Sequence, residues 1–310
     1  MFIEKENINN HIKKVEDWSV LPNNPIVTVE IATYNHESYI RNTLESVLMQ
    51  QVNFEYEILI KEDNSTDNTK QIVLEYQKQY PNKFRVWLAK KNIYQQGIKL
   101  GLYRFARGKY IAKLDGDDYW IDSFKLQKQI DFLETNPDYN FSVGGYNTID
   151  EKGVIKKGEL LKKSSSFLIR DYIANRFSQT STFVYRKTSA FPEWISKMFA
   201  GDQALLLLAS VDKKIKYHNE ILSVYRLHAR GIDTLNKNFV ERNKKYIFLL
   251  EKIKSLTNDW KCKLIIKLKT HVISIKNYSF NRKYTKILKL YTGVLNRIVI
   301  PQLNNLLNWF

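Results

Sequence analysis

Carboxylates crowd one short run of the chain. Asp115, Asp117 and Asp118 fall within YIAKLDGDDYW, Tyr110–Trp120. Carboxylate oxygens suit hard divalent cations such as Mg²⁺ or Mn²⁺. The same residue types also suit a solvated turn. Two more acid-bearing runs precede this one: Thr33–Glu37 (TYNHE), and KEDNSTD at 61–67, which contains Glu62, Asp63 and Asp67. Gly201-Asp202-Gln203 and Tyr225-Arg226-Leu227-His228 follow it.

Each of the first three runs ends an apolar stretch. Ile26–Ile31 (IVTVEI), Tyr56–Ile60 (YEILI) and Tyr110–Leu114 read as buried strands, with Phe84–Leu88 between the last two. Helical spacing separates them. Ile40, Leu44, Val47 and Leu48 share one face of a helix over Tyr39–Met49, with Ser38 as its N-cap. Further helices are expected over Asn68–Gln79 and near Gln96–Arg107. This alternation predicts a doubly wound, mostly parallel α/β sheet. In such sheets ligands sit beyond the carboxyl ends of the strands. The three acidic runs would therefore meet at one rim.

After Trp120 the pattern predicts a helix over Ser123–Thr135 and a strand over Tyr139–Gly145. A mobile connector over 150–170 and a strand over Thr182–Arg186 come next, then an apolar helix over Ala204–Ser210. Short strands are expected over Lys214–His218 and Ile221–Tyr225.

Composition narrows the class. The 310 residues hold one cysteine, Cys262, which excludes a disulfide framework and cysteine-rich zinc sites. The first residues are charged and lack the apolar core of a signal peptide. Ala204–Ala209, the longest apolar stretch, is too short to span a bilayer. A cytoplasmic setting is the expectation, with peripheral attachment to the inner face of the cell membrane as an option. The net charge is +17, and residues 233–310 hold most of it, with 16 Lys/Arg against 4 Asp/Glu.

From Val27 to Arg230 the chain resembles the family 2 glycosyltransferases, which have the GT-A nucleotide-diphospho-sugar transferase fold. Thr33–Asn35 (TYN), Glu62–Asp67 (EDNSTD, where DDGSTD is usual) and Ala106–Ile111 (A-x-G-x-Y-I) carry the resemblance. So do Asp115–Trp120 (DGDDYW), Gly201–Gln203 and Tyr225–His228, in that order. The resemblance implies an inverting transfer from a nucleotide-diphospho-sugar, UDP-linked by expectation, to a hydroxyl of a glycan or lipid-linked acceptor. Cell-surface polysaccharide synthesis is the expected setting.

Residue by residue, it implies Mn²⁺ or Mg²⁺ held by Asp117, with Asp118 and His228 nearby. Thr33, Tyr34, Asn35, Glu37, Asp115 and Gly116 would line the nucleotide-sugar site. Asp63 would accept a hydrogen bond from the base, and Asp202 would be the general base. Asp67 reads as a helix cap. Asn64 replaces the family's Gly and tolerates the left-handed backbone. Gln179–Thr182, Trp120 and Trp194 are candidates for the acceptor side.

The alternatives are a non-catalytic nucleotide- or glycan-binding module on the same fold, and a nucleotidyltransferase. The latter has no Gly/Arg/Lys-rich phosphate loop after the first strand to support it. The expected division is a lead-in over 1–25, a GT-A domain over 26–232 and a basic helical region over 233–310. The basic helices of 238–310 fit either an anionic membrane surface or a subdomain packed on the sheet. Nucleic acid is not an expected partner, because no recognised motif accompanies the basic charge.

Overall fold

A computed structural model of the chain describes residues 8–94, 101–158, 160–161, 165–188, 192, 194–195, 201–229 and 239–281. Four parallel strands form its heart: β2 (Val27–Thr33), β3 (Tyr56–Glu62), β4 (Phe84–Ala89) and β5 (Tyr110–Asp115). They lie in the order β4-β3-β2-β5. Nearly every residue of β2, β3 and β4 is buried, because helices and loops cover both faces of the sheet. The chain leaves β2 toward β3 and β4, then returns to the far side of β2 as β5. The loops after β2 and β5 are therefore neighbours at the carboxyl ends of the strands, where the strand order reverses.

Beyond β5 the sheet becomes mixed. β10 (Val184–Arg186) is antiparallel to both β5 and β7 (Tyr139–Asp150). β11 (Lys214–Leu227) runs parallel to β7, and the two-residue β6 (Tyr119–Trp120) pairs antiparallel with β11. Helices α2 (Ile40–Leu48), α3 (Thr69–Gln79) and α4 (Lys125–Thr135) pack on one face, over Val29, Ile58, Val86 and Ala112. Helices α5 (Ile169–Ala174), α6 (Gly201–Ala209), α7 (Phe239–Leu256) and α8 (Trp260–Asn281) cover the other, over Ile111, Phe141 and Tyr217.

Several elements differ from the expectations. Residues 12–15, inside the expected lead-in, form an edge strand, β1, antiparallel to β4. A one-turn helix, α1 (Ile8–His11), precedes it. The expected helix near Gln96–Arg107 is a single 3₁₀ turn at Leu102–Arg104, and residues 95–100 lie outside the described residues. Helix α2 starts after Tyr39 with no side-chain cap, so Ser38 does not cap it. The His36 carbonyl accepts the Tyr39 and Ile40 N–H groups instead. The strand expected over Tyr139–Gly145 continues to Asp150.

The connector expected over 150–170 holds two short strands, β8 (Ile155–Lys156) and β9 (Ser165–Phe167). The strand expected from Thr182 begins at Val184, because Thr180–Thr182 close a 3₁₀ turn. The two strands expected near 214–225 are one strand with register shifts near His218 and Ile221. The basic helices α7 and α8 bury Leu249, Leu250, Ile253, Cys262, Ile265 and Ile266 in the core. That is the packed-subdomain alternative for residues 239–281, while residues 282–310 lie outside the described residues. No described helix is long and apolar enough to cross a membrane.

Candidate active site

The loops after β2 and β3 are zipped together by side chains. Asn35 Oδ1 accepts the Thr66 N–H at 2.8 Å, and Glu37 Oε2 accepts the Asn68 N–H at 3.0 Å. Asp67 accepts the Thr69 N–H at 2.9 Å and the Glu37 N–H at 3.1 Å. The His36 N–H donates to Thr69 Oγ1 at 2.7 Å. Asp67 thus does the work of a cap at the start of α3. Asn35 and Asn64 both take the left-handed backbone, at φ 55° and 61°. Glu62, the departure from the usual motif, closes the second loop by accepting the Ser65 N–H at 2.6 Å.

Asp63 stands at the same rim but is only 2% exposed. Its carboxylate accepts the Ile93 and Tyr94 N–H groups at 3.0 and 3.2 Å, and Lys61 lies 3.2 Å away. These bonds tie Asp63 to the start of the loop after β4. Tyr34 is half-buried at the rim.

The crevice between β2 and β5 is built by close approach. Gly116 follows β5, and a Cβ there would meet Thr33 Oγ1 at 2.5 Å and His36 Nδ1 at 2.8 Å. Only glycine lets the two strand ends come this near. Thr33 Oγ1 lies 3.2 Å from His36 Nδ1. His36 in turn points Nε2 toward Asp117 Oδ2, 3.7 Å away. From the other side His228, just past β11, donates from Nε2 to the same oxygen at 2.9 Å. Burial opposes the charge on Asp117, but the His228 hydrogen bond and the two histidines' charges outweigh it. They hold this carboxyl below its ordinary value. Burial lowers the pKa of His36, with Asp117 acting in the opposite sense.

Asp118 is bound inward, to the end of β11. It is 1% exposed, and its Oδ1 accepts the Arg226 N–H at 2.9 Å. Burial, then repulsion from Asp117 and Asp115, raises its pKa well above the usual carboxylate value. The Arg226 guanidinium stacks between the rings of Tyr39 and Tyr119, at 4.9 and 5.0 Å. Asp115 is half-buried beside this group, and its carbonyl accepts the Asp118 N–H.

A second charged set begins at Lys113, which precedes Asp115 by two residues on β5. Lys113 on β5 pairs with buried Glu30 on β2 at 3.0 Å and with Asp202 at 3.4 Å. Burial opposes the charge on Lys113, but Glu30, Asp202 and Asp115 outweigh it and hold its pKa above the normal range. Asp202 stands in the first turn of α6. Of the residues considered for the acceptor side, Trp120 is buried and donates from Nε1 to the Ser181 carbonyl at 2.7 Å. Trp194 packs edge-on against Phe248. Trp120 serves the interior, and Trp194 is partly buried against the core.

The structure thus unites Asp117, His228, Gly116 and Thr33, with Asp115 alongside. It separates Asp118, and it ties Asp63, Asn35 and Glu37 into the loops. His36, Arg226, Glu30 and Lys113 join the site without having been singled out. Glu30 and Lys113 had a signal: each is a charge inside an otherwise apolar strand.

Among the described residues, no group of three or more His, Cys, Asp or Glu side chains is placed to hold a metal. A two-residue donor set still suits Mg²⁺ or Mn²⁺, which keep several waters and take substrate phosphate oxygens. Two ligands at right angles, each about 2.1 Å from an ion, are about 3.0 Å apart. Asp117 Oδ2 and His228 Nε2, at 2.9 Å, have that spacing, and His228 would ligate as the tautomer that carries its proton on Nδ1 in place of Nε2.

Residues 28–198 match the family model described as glycosyl transferase family 2. An uncharacterized protein of Mycobacterium tuberculosis is 34% identical over 202 residues, which cover 64% of this chain and 58% of that protein. A Bacillus subtilis protein named as the teichuronic acid biosynthesis glycosyltransferase TuaG is 35% identical over 129 residues, covering 42% of this chain and 50% of that one. The matched residues span 58% and 50% of the length of these two curated relatives. Among solved structures, Staphylococcus aureus TarS 1–349 in complex with UDP superposes with a TM-score of 0.57. It is 18% identical and covers 83% of this chain and 73% of that one. The Pyrobaculum calidifontis mannosyltransferase PcManGT, in complex with GDP-Man and Mn²⁺, has a TM-score of 0.54. It is 13% identical and covers 94% of this chain and 90% of that one.

Proposed function

The chain belongs to glycosyl transferase family 2 and has the GT-A fold, and we propose that it is an inverting, metal-dependent enzyme. It moves a sugar from a nucleotide-diphospho-sugar, UDP-linked, to a hydroxyl of a glycan or lipid-linked acceptor in polysaccharide synthesis. The observation that carries this reading is the Asp117–His228 pair at the switch point of the sheet. The names of relatives and the ligands of structural neighbours support a nucleotide-sugar donor and a divalent cation.

In this reading Asp117 and His228 would hold Mn²⁺ or Mg²⁺, and the ion would supply Lewis-acid neutralisation of the diphosphate. His36 orients Asp117 from the other side. Tyr34, Asp115 and the Thr33–Gly116 contact shape the nucleotide end of the crevice. Asp202 takes the proton of the attacking hydroxyl. Lys113 holds that carboxylate in place, and Glu30 holds Lys113. Asp118 serves as a latch between the turn after β5 and β11.

Calorimetric titration of UDP, GDP and dTDP, with and without Mn²⁺, tests the reading. Metal-dependent binding of one diphosphate, with slow hydrolysis of its sugar derivative, is the expected result. Failure of all three to bind would overturn it. Binding with neither transfer nor hydrolysis would leave a non-catalytic module.

A further inference from the structure

A cavity of about 280 Å³ lies among α5, α6, α7 and α8. That is near the lower end of ligand-sized pockets, roughly 300–1,000 Å³. Its walls include Arg176, Arg242, Lys245 and Lys269, and no carboxylate is among the described lining residues. Tyr172 and Asn243 add a hydroxyl and an amide. Gln203, the residue after Asp202, completes the side facing the start of α6.

Three of these cations have contacts within the protein. Arg176 donates to Gln179 Oε1 at 2.7 Å, and Lys269 donates to the Ala174 carbonyl at 3.3 Å. Lys245 lies 3.8 Å from Glu241, one turn earlier on its own helix. Four cationic side chains around one concavity give it a positive lining that suits an anion. Guanidinium groups match phosphate oxygens in a planar fork, and ammonium groups add point charge.

We infer that this pocket is an anion subsite that holds a phosphate group of the acceptor while the acceptor's hydroxyl reaches Asp202. The acceptor class is then a phosphate-bearing glycan or glycosyl phosphate. This deepens the proposed function and rests on it for the word acceptor; the anion site itself stands on the cavity. A concave pocket selects a discrete anionic group, whereas a membrane surface would call for a broad exposed face.

The test uses the full chain with its nucleotide site saturated by UDP and Mg²⁺. Inorganic phosphate and glycerol 3-phosphate are titrated by calorimetry. Binding at one site is expected, weakened roughly tenfold or more in Arg242→Gln/Lys245→Gln, since hydrogen bonds to charged groups carry most of it. UDP affinity should stay within about twofold, because neither residue touches that crevice. Lys269→Gln, on a different helix, gives the same direction independently of any disturbance to α7. Absence of phosphate binding by the wild type, or equal binding by both variants, overturns the inference. Binding to phosphatidylglycerol vesicles but not to phosphate also overturns it, in favour of a membrane face. If UDP does not bind at all, the glycosyltransferase reading fails, and the phosphate titration still decides the pocket.

Discussion

His228 Nε2 donates to Asp117 Oδ2 at 2.9 Å across 111 residues of chain. The contact follows from strand pairing. β6 lies directly after Asp118, and Ser223 and Val224 of β11 pair with its Trp120 and Tyr119. That register carries the end of β11 back past the turn after β5. The Arg226 N–H to Asp118 bond then fixes the last step, and His228 arrives beside Asp117.

His228→Ala should weaken Mn²⁺-dependent UDP binding at least about tenfold, the usual scale for a lost metal-site partner. The Arg226 backbone bond to Asp118 survives the change, so the turn keeps its shape. Chelation with EDTA should abolish donor hydrolysis, and added Mn²⁺ should restore it in the wild type more fully than in the variant. Calorimetry on metal-stripped protein checks this. Equal affinities in the two proteins would place the ion elsewhere.

Asp202→Asn should lower the transfer rate by about 10²–10⁴, the range for losing a general base. Donor affinity should change by less than about twofold, since the side chain sits beside Lys113 and not at Asp117. Single-turnover transfer and UDP calorimetry separate the two effects. A parallel loss of donor binding and thermal stability would assign Asp202 to the first turn of α6 alone.

The four parallel strands were readable because their apolar runs are buried on both faces and end abruptly in polar loops. Asn64 was readable for a local reason: the turn needs a left-handed residue, and Asn supplies one. Long-range partners were not readable. Asp63 is surrounded by acids and turn residues in the sequence, yet its oxygens go to the N–H groups of Ile93 and Tyr94. Asp117 and Asp118 are neighbours in the chain, yet the turn sends one to two histidines and the other inward to β11. β1 was hidden because Lys13 and Lys14 interrupt its short apolar pattern at the sheet edge.

Gly116→Ala should damage the site from beneath. The added methyl would overlap Thr33 Oγ1 at 2.5 Å and His36 Nδ1 at 2.8 Å, so His36 or the strand end must move. Overpacking of this kind costs about 1–3 kcal/mol. The expected result is a lower melting temperature together with weaker metal-dependent UDP binding. Thermal melts and calorimetry on one preparation read both. Unchanged binding would show that the Thr33–Gly116–His36 contact does not position Asp117.

Lys125 gives the chain a pH-dependent stability that is independent of catalysis. Its side chain is fully buried, its Nζ has no hydrogen-bond partner, and it lies 4.2 Å from the centre of the Trp120 ring. Burial drives its pKa from 10.5 down to about 7, with Asp122 pulling the other way. A base whose pKa falls on folding binds more protons in the unfolded state, so stability rises with pH across that window. Below about pH 7 both states are protonated and the whole penalty is present; it fades as pH climbs toward 10.5. Lys125→Met keeps the volume and removes the charge. The variant should be more stable than the wild type by about 1–3 kcal/mol near neutral pH, the scale of an unsatisfied buried polar group. The gap should narrow between about pH 7 and about pH 10. Urea midpoints of both proteins across that range are the measurement, and a gap that stays constant would mean that Lys125 keeps its proton in the folded protein.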